Sequence, residues 1–248
     1  MSDMMNKAPS GSDGMHARTQ MLLGEQGLSR LRAAHVAVFG IGGVGGYVVE
    51  ALARAGVGAL SLFDADTVSE SNLNRQLIAL RSTLGLPKVR AAAIRVHDID
   101  PDIIVHEHEV FYLPENAHSF DLAQYDYVVD AVDTVAAKME LIRRARAAGV
   151  PIVCAMGTGN KLDPTAFRVT TIEKTDTCGL ARTVRGLCKK EGIKGVKVVY
   201  SAELPRGATL DDGNGRHAPG SISFVPGSAG LALAGEVVKD LCRVGTRE

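Results

Sequence analysis

No run in this chain approaches the roughly 20 apolar residues of a membrane-spanning helix, and the N-terminus lacks the apolar core of a secretion signal. Neither membrane spanning nor export is expected. Net charge is absent too, since 28 Lys and Arg balance 28 Asp and Glu, so no global field recruits nucleic acid. Cysteine is scarce. Cys154, Cys178, Cys188 and Cys242 form no C-x-x-C pair, which disfavours a four-cysteine zinc site and implies no disulfide framework; a reducing cytoplasm suits them. The seven histidines show no paired ligand spacing on a helix face. His106 and His108 alternate with Glu107 and Glu109, the pattern of a wet sheet edge.

Glycine is plentiful where it matters. In VAVFGIGGVGGYVVEALARAGV (36–57) a short apolar run breaks into glycines, then resumes with Val44, Val48, Leu52 and Ala55 at helical intervals. Gly40, Gly42 and Gly45 fit G-x-G-x-x-G, with Gly43 inside it. That pattern turns a strand sharply into a helix and lets the backbone approach a phosphate, which the partnerless first amides of the helix attract. The next apolar run ends in Asp64, about 20 residues on, where an acid meets ribose hydroxyls. To this point an NAD enzyme and an ATP enzyme read alike.

The rest of the chain alternates strand and helix. Met21, Leu22, Leu28 and Leu31 mark the inward face of a helix before the first strand. A helix over about Lys88–His97 precedes a half-exposed strand in IIVHEHEVF (103–111), and PENAHSF begins a short helix. YDYVVDAVDT is a buried strand running into Asp130 and Asp133, a helix follows over about 135–148, and PIVCAM is the next strand. The expected fold is α/β, a doubly wound, mostly parallel sheet with added C-terminal strands and a closing helix. Residues 1–14 read as a disordered arm. Residues 15–248 read as one domain, a nucleotide-binding half to about 157 and a substrate-binding half from about 158, with a mobile Gly-, Asp- and Pro-rich loop at 203–220.

GIGGVG, then D-x-D (Asp64, Asp66), SNLNRQ (Ser71 to Gln76), GLPK (to Lys88) and DAVDT (130–134) together resemble the adenylating superfamily of MoeB, ThiF, HesA and the ubiquitin-activating enzymes. Within it, GNKLDP (159–164), VVYSAE (198–203) and PGSISFVPGSAGL (219–231) resemble the branch of tRNA threonylcarbamoyladenosine dehydratases, TcdA or CsdL. The resemblance implies a Rossmann-like adenylating fold, ATP and Mg²⁺ as cofactors, a homodimer and a tRNA substrate, and it leaves room for a sulfur-relay protein partner. It places the ribose on Asp64, beside Asp66, the triphosphate on Arg75 and Lys88 with Asn72, Asn74 and Gln76 as neutral donors, the metal on Asp133, and Arg18 of a second subunit at the γ-phosphate. A reaction at the α-phosphorus needs such cations and donors.

The implied reaction activates the carboxylate of the threonylcarbamoyl group on an adenosine next to the anticodon as an acyl-adenylate, which then cyclises with net loss of water. The alternative is adenylation of a ubiquitin-like sulfur carrier protein. Because the implied dehydration requires no thioester, Cys178 reads as a half-buried thiol at a helix start and not as a nucleophile. Charge distribution favours RNA: ten acids and no Lys or Arg lie between His97 and Asp133, while Thr134 to Tyr200 holds thirteen Lys or Arg against five acids. Arg143, Arg144, Arg146, Lys161, Lys174, Arg182, Arg185, Lys189, Lys190, Lys194 and Lys197 are the candidate phosphate-tracking surface.

Overall fold

The structure, a computed structural model, describes residues 14–207, 209–211 and 217–244. The arm expected over 1–14 therefore lies outside the described residues except for Gly14. In chain order the elements are α1 (Ala17–Ala33), β1 (His35–Phe39), α2 (Gly45–Ala55), β2 (Ala59–Phe63), α3 (Lys88–Ile99), β3 (Ile104–His108), β4 (Tyr127–Asp130), α4 (Val135–Ala148), β5 (Ile152–Ala155), β6 (Phe167–Thr171), α5 (Gly179–Lys190), β7 (Lys197–Ser201), β8 (Thr209–Asp211), β9 (His217–Pro219) and α6 (Phe224–Cys242).

Seven strands form one sheet in the order β3-β2-β1-β4-β5-β7-β6. All its pairings are parallel except that of β6 with β7. The chain builds outward from β1 through β2 to β3, then returns to add β4, β5 and β7 on the other side. That reversal opens a crevice at the carboxyl ends of β1 and β4, where ligands of such sheets bind.

Alternate residues of the central strands feed different cores, as the two-residue period of a strand requires. Val36 and Val38 of β1 pack with Leu31, Leu52, Val89 and Leu233, under α1, α2, α3 and α6. Ala37 and Phe39 pack with Leu141 and Ala145 of α4. Farther along that second face, Cys154 and Val198 meet Ile142 of α4 and Val184 of α5. The glycines of α6 let it sit hard on α2: a Cβ at Gly230 would strike the Val44 carbonyl and lie 2.8 Å from Tyr47 Cβ. A larger side chain there would push the closing helix off the helix that follows the glycine turn.

Three expectations need correction. Met21 and Leu22 do not face inward; each is 85% exposed, whereas Leu28 and Leu31 are buried. Gly24 (φ 71°, ψ 171°) breaks α1, so its first turns leave the core. PENAHSF yields only a 3-10 turn at Ala117–Ser119. The expected loop at 203–220 contains a two-stranded antiparallel ribbon, β8 with β9, in register from Thr209↔Pro219 to Asp211↔His217. Asn160 stitches its base to the preceding loop: its N–H donates to Gly220 O (2.7 Å), its Oδ1 accepts from Gly220 N (2.7 Å), and its carbonyl accepts from Arg206 N (2.8 Å).

Candidate functional site

The turn after β1 works only with glycine. Gly40 has φ +87°, and a Cβ there would lie 2.8 Å from Ala131 O and 3.1 Å from Val132 N, so the turn is pressed against the segment that follows β4. A Cβ on Gly45 would overlap the Gly40 carbonyl oxygen, which fixes how closely α2 starts against β1. The first main-chain bond of the helix runs from Gly46 N–H to Gly42 O at 3.0 Å. The amides before it lack a partner within the helix and sit at the positive end of its dipole, an anion site.

Asp64 lies at the end of β2, beside this turn. Its Oδ2 accepts from Ile41 N at 2.7 Å and its Oδ1 from Asp66 N at 2.9 Å. Lys88, only 5% exposed at the start of α3, places Nζ 2.6 Å from Asp66 Oδ2 and 3.8 Å from Asp64 Oδ1. Burial raises the Asp64 carboxyl above its ordinary value, against the downward pull of Lys88 and the two amides. The three groups form one cluster tied to the glycine turn through Ile41.

The 70–76 segment opens with a 3-10 turn at Glu70–Asn72, in which Asn72 Oδ1 accepts from Ser69 N at 3.1 Å, and continues through a turn to Gln76. This turn brings Gln76 and Arg75 over the glycines: a Cβ on Gly42 would be 3.8 Å from Gln76 Nε2, and one on Gly43 would be 3.6 Å from Arg75 Cγ. Gln76 is 7% exposed, and its Oε1 is buried without a hydrogen-bond partner. Arg75 Nη1 donates to Ser71 O and to Asn74 Oδ1, both at 2.8 Å, which holds the guanidinium in place. Asn74 Nδ2 reaches Ser221 O at 3.1 Å, and Pro226 lies 3.4 Å from the same notional Cβ on Gly43. Ser221 and Pro226 thus border the site. Both lie in PGSISFVPGSAGL, a segment whose composition gives neither of them a role by itself.

After β4 the two acids part company. Asp130 is fully buried, with Oδ2 2.6 Å from Lys138 Nζ and Oδ1 accepting from Val132 N at 3.2 Å. Lys138, equally buried, also donates to Ala155 O at 2.9 Å, joining the ends of β4 and β5. Asp133 is exposed and accepts from the Thr134 hydroxyl at 3.4 Å. No group of three or more His, Cys, Asp or Glu able to hold a metal occurs among the described residues. The Asp130–Lys138 pair escapes sequence reasoning because its lysine looks like any solvated helix residue.

Arg18 does not join this group within one chain. It is exposed on the first turn of α1, two residues after His16, which packs on Gly56 at the C-terminal end of α2 and lies 3.6 Å from Asp100. The glycine turn is at the other end of α2, an 11-residue helix about 16 Å long. Cys178, expected half-buried, is 4% exposed at the N-cap of α5. The basic surface is thinner than the sequence suggests. Lys161 is buried and donates to Glu203 O, Lys197 is held by Asp240 at 2.6 Å, and Arg143 by Glu191 at 2.7 Å.

The sequence matches the ThiF family over residues 16–248. It is 41% identical over 239 residues to the tRNA threonylcarbamoyladenosine dehydratase of Bacillus subtilis (strain 168), across 92% of this chain and 94% of that protein. The fold is similar to solved structures of E. coli tRNA N6-threonylcarbamoyladenosine dehydratase, TcdA. The complex with AMP aligns at a TM-score of 0.85 and 35% identity, over 93% of this chain and 95% of that one. The complex with ATP aligns at 0.84 and 34%, over 94% and 96%.

Proposed function

The chain belongs to the ThiF family, and on that premise we propose that it is an ATP-dependent tRNA threonylcarbamoyladenosine dehydratase. One observation supports the reading: in a chain that matches dehydratases along nearly its whole length, Asp64 and Lys88 are tied to the glycine turn, Arg75 and Gln76 lie over it, and the segment leading to Asp133 packs against Gly40. A carboxylate oxygen of the threonylcarbamoyl group attacks the α-phosphorus of ATP. The bond to pyrophosphate breaks, and an acyl-adenylate remains. A nucleophile within the same modification then attacks the acyl carbon, AMP leaves with the former carboxylate oxygen, and a ring closes with net loss of water. Covalent activation and proximity split one hard dehydration into two easier steps.

The residues divide this work. The turn amides hold phosphate oxygens, and Arg75 and Lys88 offset the charge that gathers as pyrophosphate departs. Gln76 Nε2, which lies over Gly42, donates to a phosphate oxygen. Each oxygen of Asp64 accepts one amide and keeps a further lone pair for a ribose hydroxyl. Magnesium is ordinarily held by one or two carboxylates together with substrate phosphates, a mode that the single exposed Asp133 fits. When bound, the ion neutralises phosphate charge. Arg18, at the far end of α2 from the glycine turn, reaches the γ-phosphate of a second copy in this reading, with the exposed Met21 and Leu22 beside it as an apolar seat. We assign residues 15–157 to ATP and 158–248 to the RNA, in a cytoplasmic homodimer.

Incubation with ATP, Mg²⁺ and tRNA carrying the modification tests this. Pyrophosphate release with loss of one water from the nucleoside is expected. Exchange of pyrophosphate into ATP only in the presence of a small glycine-tailed protein would refute it.

A further inference from the structure

A cleft of about 510 Å³ lies away from the nucleotide crevice, between the C-terminal half of α5, the 3-10 turn Ile172–Lys174 and residues 192–194. Its walls include Ile193 and Gly186, and Arg182, Arg185, Lys189 and Lys194 surround them. The acid among the lining residues, Glu173, accepts from Gly195 N at 2.6 Å, so its carboxylate is already engaged. Arg185 is held by the carbonyl and hydroxyl of Thr175. Gly186 is the informative residue. It sits inside α5, where glycine weakens a helix, yet a Cβ there would meet nothing within 4 Å. Packing does not require this glycine, but an open cleft does: a side chain at 186 would occupy it.

We propose that this cleft takes one unstacked nucleotide of the RNA substrate, its base against the apolar wall and its phosphate among the four cations. This rests on the tRNA reading above. Single-stranded RNA is recognised by splayed bases on apolar or guanidinium surfaces with cations on the backbone, and the cleft supplies both. Its position fits. The N-terminal end of α5 is at Gly157, past β5, and next to Ser201 at the end of β7, on the crevice side of the sheet; the helix is 12 residues, about 18 Å, long. An RNA stem-loop lying along α5 from that edge brings a second nucleotide to the cleft while its modified adenosine enters the crevice.

Two variants test it. Gly186→Phe fills the cleft without touching any charge, and because the position is helical and unobstructed, its thermal midpoint should match or exceed the wild type. Arg182→Ala/Lys189→Ala removes two cations and keeps the cleft open. With modified tRNA, Gly186→Phe should raise KM for tRNA about tenfold while ATP affinity stays unchanged. The double variant should raise that KM and flatten the slope of log affinity against log salt by roughly one unit. Wild-type tRNA kinetics in both variants, from a protein that does convert tRNA, would overturn the proposal. So would unchanged RNA kinetics with lost binding of a polyglutamate peptide, which would assign the cleft to an acidic protein partner. A wild-type protein inactive on tRNA would instead refute the reading of function beneath it.

Discussion

Lys138→Met should cost this protein far more than an ordinary lysine substitution, and the cost can be worked from the structure. Lys138 and Asp130 are both 0% exposed, and Nζ is bonded to Asp130 Oδ2 at 2.6 Å and to Ala155 O at 2.9 Å. Removing one partner strands a buried carboxylate, a change that costs about 3–5 kcal/mol, where whole domains have only about 5–15 kcal/mol to lose. For a chain of this size each kcal/mol moves the thermal midpoint by about 2–4 °C, so a fall of about 6–20 °C is expected. The perturbation also reaches the site. Asp130 Oδ1 holds Val132 N, and the 131–132 segment both supports Gly40 and leads to Asp133. Thermal unfolding checks the first effect and ATP titration the second. Lys138→Met/Asp130→Leu removes the uncompensated charge and should recover most of the stability, but not ATP affinity, because Val132 N still lacks its acceptor. A single variant whose midpoint stays within about 2 °C of wild type would refute this reasoning.

Gly45→Ala should abolish ATP binding in a titration, since its Cβ would overlap the Gly40 carbonyl and the turn must open. Asp133→Ala should remove adenylation, read as pyrophosphate release, with the thermal midpoint shifted by less than about 2 °C, because the residue is exposed. Stability should also depend on pH through His35 and His108. Burial is the main cause lowering both below 6.5; neighbouring histidines lower them further, while Asp126 raises His35. The unfolded chain then binds protons more readily, so these residues' contribution is intact above 6.5 and lost as pH falls from there through the folded values. The midpoint should drop on acidification below that value, and His35→Asn/His108→Asn should flatten the drop; an unchanged slope would count against the histidines.

The crevice is legible in the sequence because its parts are punctuated locally. Gly40, Asp64 and Asp133 each stand where an apolar run stops, and a parallel sheet brings such stops to one edge whatever the strand order. What escapes depends on the other half of a contact. Lys138 carries no local sign of burial, because its carboxylate is in the preceding strand and its carbonyl acceptor in the following one. Lys161 and Lys197 look like members of a basic surface until Glu203 and Asp240, some forty residues away, are seen to hold them. Met21 and Leu22 fail for the same reason in reverse: periodicity predicts a face, and the broken helix at Gly24 leaves that face without an opposing surface among the described residues. Charge counts along a sequence therefore overstate an RNA surface, since Lys161, Lys197 and Arg143 are each held by partners in their own chain. Gly186 carries the same logic to a single atom, since a Cβ that would touch nothing is informative only once the space it would enter has been found.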